Sequence, residues 1–195
     1  MKFTPTRQLN VVFAYLALAL APSLTGCNSA AKNEISVTFS EGHKTDPQDH
    51  GRPGKLIAAA LGVEPEVFRE AFSGVTPAHG RGPTGEEARR NKEALMRVLR
   101  PHNITNERLD EVSDYYRYRP QAGELWTNTP AEAHAIIEDG KIKEIIITNP
   151  GAGYKSPPIA TVKGFENLRL ITTVQYETHL EKNGRVESVE EVAEQ

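Results

Sequence analysis

The 195-residue chain predicts an α+β protein: a small domain of short amphipathic helices over residues 53–119, then an antiparallel β-hairpin domain over 124–192. Three observations carry this. From 53 to 118 apolar residues recur three and four positions apart, the spacing of one helix face. From about Glu124 the spacing drops towards two. Two dipeptides that tolerate positive φ, Asp139-Gly140 and Asn183-Gly184, divide the β-forming runs as tight hairpins require.

The helices have recognisable starts and stops. Pro53 can open the first, because the first turn needs no donor from it, and Leu56, Ile57, Ala60 and Leu61 form its apolar face before Gly62. Pro65 opens the second, with Val67, Phe68, Ala71 and Phe72 on one side and Gly74 as the stop. Residues 76–83 read as a Gly- and Pro-rich loop. Thr84-Gly85-Glu86-Glu87 is a capping box, in which the Thr hydroxyl and the Glu carboxylate satisfy otherwise unpaired donors. The helix it starts runs to about Leu99, with Ala88, Leu95, Val98 and Leu99 inward and Pro101 beyond. Thr105 caps a fourth helix carrying Leu109, Val112 and Tyr116. None of the four would be stable alone, so they must share a core.

In the second half, residues 129–138 carry two signals. Thr129-Pro130-Ala131-Glu132 would make a capping box, but Ala131, Ala133, Ala135 and Ile137 alternate with polar residues and Asp139-Gly140 follows. Strand, hairpin, strand is the reading adopted, with residues 141–148 as the β-forming partner. A turn over 149–158 leads to a strand at 159–162. After Gly164 the hairpin pattern recurs: residues 183–189 parallel 139–145 at an offset of 44, a degenerate half-repeat. Upstream, residues 27–52 read as a polar tether and loop interrupted by a short strand over 35–39.

The N-terminal 26 residues have the parts of a secretory signal: Lys2 and Arg7, an apolar run over 11–21, then small residues up to Cys27, the single cysteine. The run falls short of the roughly 20 residues that span a bilayer. Leu24-Thr25-Gly26-Cys27 resembles the lipobox of bacterial lipoproteins. That resemblance implies cleavage before Cys27, a diacylglyceryl thioether on its sulfur and usually an acylated amine. Several chains hold firmly where one does not, at about 0.8 kcal/mol per buried methylene. It also implies a cell-envelope location. In that family Asp after the cysteine signals inner-membrane retention, so with Asn28 the resemblance implies the outer membrane, with the protein facing the periplasm. Loss of Lys2 and Arg7 leaves a mature charge of 23 − 2 − 26 = −5. With no strongly basic region, a nucleic-acid partner is not expected.

Residues 131–163 carry a second resemblance. The succession strand, Gly151-Ala152-Gly153-Tyr154, Pro157-Pro158, strand resembles a small β-module of bacterial surface proteins and phage structural proteins, used as a spacer or display unit.

Two clusters are candidates for chemistry. His43, Asp46, Asp49 and His50 fall within eight residues, and imidazole nitrogen with carboxylate oxygen suits a divalent ion, with metal-assisted hydrolysis as a further alternative. The competing reading is a polar turn. Tyr115, Tyr118 and Trp126, interleaved with Arg117 and Arg119, could stack a glycan or peptidoglycan if they shared an exposed groove; packing into a core is the competing reading. Arg81, Arg89, Arg90, Arg97, Arg100 and Lys92 are offset by Glu86, Glu87 and Glu93, as on a solvated helix face. No Gly-x-Ser-x-Gly elbow, phosphate loop, His-Glu-x-x-His helix or cysteine pair is present. The expectation is therefore a lipid-anchored, non-catalytic binding or scaffold protein without a resident cofactor, its partners the membrane through Cys27 and another envelope protein or the cell wall.

Overall fold

The computed structural model describes residues 33–76 and 83–192. The tetrapeptide ending at Cys27, and also His79 and Arg81, lie outside the described residues.

The architecture is α+β. Helix α1 spans Gly54–Leu61 and stops where Gly62 turns left-handed (φ 72°), its N–H returning to the Ala58 and Ala59 carbonyls. Helix α2 spans Pro65–Ser73. Helix α3 spans Gly85–Leu99, and its capping box is fully formed: Glu87 N donates to Thr84 Oγ1 at 3.3 Å and Thr84 N donates to Glu87 Oε2 at 2.8 Å. Helix α4 spans Asn106–Tyr115, capped by Thr105, whose Oγ1 accepts from Arg108 N at 3.2 Å. Leu56, Phe68, Met96, Leu99, Leu109, Val112, Tyr116 and Trp126 are buried together between the helices. Ala88, expected to face inward, is exposed; α3 reaches the core only from its second half, through Leu95, Met96, Val98 and Leu99.

Strands β1 (Asn33–Ser40), β2 (Glu132–Glu138), β3 (Lys141–Asn149) and β4 (Ile159–Val162) form one antiparallel sheet in the order β3-β2-β1-β4. The short strand read within the tether is thus an inner strand, with Val37 between Ala133 and Val162. Val37, Ala133, Ala135, Ala160 and Val162 form one buried face, packed against Leu170 and Val189 of a separate hairpin, β5 (Leu170–Gln175) with β6 (Arg185–Glu191). Asp139 (φ 51°) and Gly140 (φ 72°) take the paired positive φ angles of a tight turn between β2 and β3.

The second dipeptide behaves differently. Asn183 is extended (φ −70°, ψ 128°), and β5 and β6 are joined by the longer segment 176–184. Asn183 is instead a fully buried connector. Its Nδ2 donates to the Leu56 carbonyl at 2.7 Å and to Tyr116 Oη at 2.9 Å, while its Oδ1 accepts from Glu177 N at 3.1 Å. The neighbouring Gly-x-Gly-Tyr loop completes the junction. Gly153 N and Tyr154 N donate to the Asn183 and Gly184 carbonyls, Trp126 Nε1 donates to the Gly153 carbonyl at 2.8 Å, and Ala131 N donates to Tyr154 Oη at 2.9 Å. A Cβ on Gly153 would lie 2.7 Å from Asn128 Cβ and 2.8 Å from the Thr127 carbonyl, so the loop can lie this close only without a side chain. Arg108 Nη2 adds bonds to the Ala60 and Thr178 carbonyls.

Through these contacts the helical and β segments belong to one compact unit. The helical segment joins the β segment through the Gly153 loop and the 176–184 connection; along β1, Ser40 pairs with Ile159 at one end and Asn33 with Ile137 at the other, beside the Asp139-Gly140 turn.

Candidate functional site

The segment leaving β1 brings Asp46 and Asp49 against Arg69 of α2. Asp46 opens a 3-10 turn over Pro47–Asp49 by accepting from Gln48 N at 2.9 Å, and His50 closes it with positive φ (49°). The turn delivers Asp49 inward. Its side chain is 2% exposed and lies over Gly54, the first residue of α1, where an added Cβ would be 2.6 Å from Asp49 Cγ. A carboxylate at that helix start is favoured by the unpaired N–H groups there. Asp49 Oδ1 accepts from Arg69 Nε at 2.8 Å; Oδ2 has no hydrogen-bond partner and lies 3.7 Å from Lys155 Nζ. Arg69 also approaches Asp46 (3.7 Å) and Glu66 (3.5 Å). The Asp49 hydrogen bond is the main cause holding its guanidinium above the ordinary arginine value.

The four candidate metal ligands therefore do not form a site. The acidic pair is turned to Arg69, His50 is exposed, and the His43 ring lies against Tyr154 (centroids 5.1 Å apart) and Trp126 (5.8 Å). Among the described residues no three His, Cys, Asp or Glu side chains come together in a way that could hold an ion. The physical reason is local: the position a cation would take beside Asp46 and Asp49 is filled by a guanidinium. His43 Nε2 is buried without a hydrogen-bond partner, and burial lowers the imidazole pKa, opposed by a hydrogen bond to the Glu41 backbone.

The aromatic trio is not an exposed groove either. Trp126 is 1% exposed, and Tyr118 stands edge-on to it with centroids 5.5 Å apart. Tyr115 is half-buried and pairs edge-on with Tyr116 instead. The trio is core and core rim. The basic residues of α3 lie as expected: Arg90 pairs with Glu86 at 2.5 Å, and Lys92 reaches Asp110 on α4 at 2.6 Å.

What the sequence did not single out is Arg52. Its guanidinium carbon sits over the Phe72 ring, 3.7 Å from the centroid, and Nη1 donates to the Asp49 carbonyl at 3.3 Å. Burial pulls its pKa down, opposed by Tyr118 and Asp49. Arg52 and Phe72 line a cavity of about 490 Å³ with Gln48, Asp49, His50, Phe68, Arg69, Ser73 and Val75. An arginine in a polar loop gives no sequence signal; only the fold of α2 back onto the loop sets it apart.

No family model matches this chain, and no curated protein or solved structure matches it.

Proposed function

We propose that this chain is a lipid-anchored cell-envelope protein with a non-catalytic binding or scaffold role, tethered through Cys27 to the outer membrane and facing the periplasm. The observation that carries this is Leu24-Thr25-Gly26-Cys27 after an apolar run too short to cross a bilayer. Among the described residues no helix is long and apolar enough to cross a membrane.

Such an anchor would also orient the protein. Asn33 lies six positions after Cys27, a reach of at most about 20 Å. An anchor on Cys27 therefore keeps the Asn33 end of β1, with the Asp139-Gly140 turn, near the lipid headgroups. The eight residues of β1 then lead away from the bilayer for about 25 Å before the helical end begins. The β segment serves as a spacer, in keeping with its resemblance to a display module, and the helical end is the binding head offered to another envelope protein or to the cell wall.

The test is the intact mass of the full chain isolated from bacterial membranes. The expected product begins at Cys27 and carries the added mass of diacylglycerol. A chain that starts upstream of Cys27, or an unmodified Cys27 sulfur, overturns the proposal.

A further inference from the structure

We propose that the cavity beside Arg52 binds a small monoanionic carboxylate carrying an apolar group. This names a ligand class for the head, and it depends on the anchor reading only for where in the cell the ligand is met. The cavity volume, about 490 Å³, lies within the usual small-ligand range of about 300–1,000 Å³. Its walls divide by chemistry. Phe68, Phe72 and Val75 are apolar; Arg52, Arg69 and His50 are polar.

The two arginines are not equivalent. Arg69 is committed to Asp49, Asp46 and Glu66. Arg52 has no carboxylate within ion-pair distance among the described residues; a backbone carbonyl and the Phe72 face are its recorded contacts. A half-buried cation that Asp49 reaches only beyond ion-pair distance is incompletely compensated, and an incoming anion offsets the remaining cost. Among the described residues only Nη1 is engaged in a hydrogen bond, and a guanidinium carries further N–H groups whose planar fork suits a carboxylate.

Charge selects a monoanion. The charged lining residues are Asp49, Arg52 and Arg69, a balance of +1, and the further carboxylates of Asp46 and Glu66 beside Arg69 oppose a second negative charge. The apolar wall then takes the body of the ligand.

The probe is 3-phenylpropionate, titrated calorimetrically into the full chain in detergent, with detergent alone as blank and the primary amide of the same acid as the uncharged match. The acid is expected to bind at least about tenfold more tightly than the amide, as a charge-assisted hydrogen bond requires. Arg52→Gln should bring the acid down to the level of the amide, and Val75→Trp, which fills the cavity from its apolar side, should abolish binding of both. Far-UV circular dichroism checks that each variant is folded; if Arg52→Gln is not, the acid–amide comparison and Val75→Trp still decide. Equal binding of acid and amide, acid binding that persists in both variants, tighter binding of inorganic phosphate than of the acid, or no acid binding overturns the assignment. Lipidated and unlipidated chains are titrated alike, so failure here is separable from failure of the anchor reading.

Discussion

Replacing Asn183 by Ala tests whether the helical and β segments fold as one body. The side chain is fully buried and makes three hydrogen bonds, to the Leu56 carbonyl, to Tyr116 Oη and from Glu177 N. At about 1 kcal/mol net for each bond, and up to about 2 kcal/mol more where a buried partner is left unsatisfied, the loss should total about 3–5 kcal/mol. Set against a typical stability of about 5–15 kcal/mol, that is a large fraction. At about 2–4 °C per kcal/mol for a domain of this size, the melting temperature should fall by roughly 6–20 °C. Urea unfolding followed by Trp126 fluorescence and by far-UV circular dichroism is the assay. Trp126 is the single tryptophan and lies at the junction, bonded to the Gly153 carbonyl. The two signals should move together in the wild type and in the variant. Tyr116→Phe combined with Asn183→Ala should show non-additivity of about 0.5–3 kcal/mol, as residues sharing a bond do. A loss below about 1 kcal/mol, or separate fluorescence and dichroism transitions in the wild type, would refute the reasoning.

Three further outcomes follow from the same geometry. Gly153→Ala forces a side chain into the Thr127 carbonyl at positive φ (82°) and should cost about 3 kcal/mol or more, whereas Gly140→Ala, with open space around it, should cost about 1 kcal/mol; chemical denaturation of the pair checks the difference. Asp49→Ala leaves Lys155 without its carboxylate and Arg69 with only its longer contacts to Asp46 and Glu66, and should cost about 3 kcal/mol, the low end for a buried pair because Arg69 keeps those partners and stays 28% exposed. His43 is half-buried and its pKa is lowered by desolvation, so the unfolded chain takes up the proton first. Its contribution is complete above the unfolded value of about 6.5 and is lost as pH falls through the lower folded value; the urea midpoint should drop from pH 7 towards pH 5, and His43→Phe should flatten that slope.

Local chemistry was legible where a feature is settled within a few residues. The Thr84–Glu87 box, the Gly62 stop and the Asp139-Gly140 turn depend on near neighbours alone, and each has the structure its sequence predicts. Asn183-Gly184 carries the same local signal, but the Asn amide is used 127 positions away, on Leu56. No turn rule distinguishes those two uses. Residues 35–39 alternate like any short strand, and nothing nearby indicates a place between β2 and β4, since both partners lie some hundred residues downstream. The candidate ligands failed for a related reason: proximity in sequence put Asp46 and Asp49 together, and Arg69, on a different element, claimed both.

A chain anchored at Cys27 in the proposed way holds its helical end away from the lipid. Cys27 is the single native cysteine, and acylation would block its sulfur, so one cysteine introduced at Asp139 or at His50 can be labelled selectively with a fluorophore. In proteoliposomes containing lipid-borne quenchers, the label at 139 should be strongly quenched and the label at 50 nearly unaffected. Equal quenching at the two positions, or stronger quenching at 50, would contradict the account.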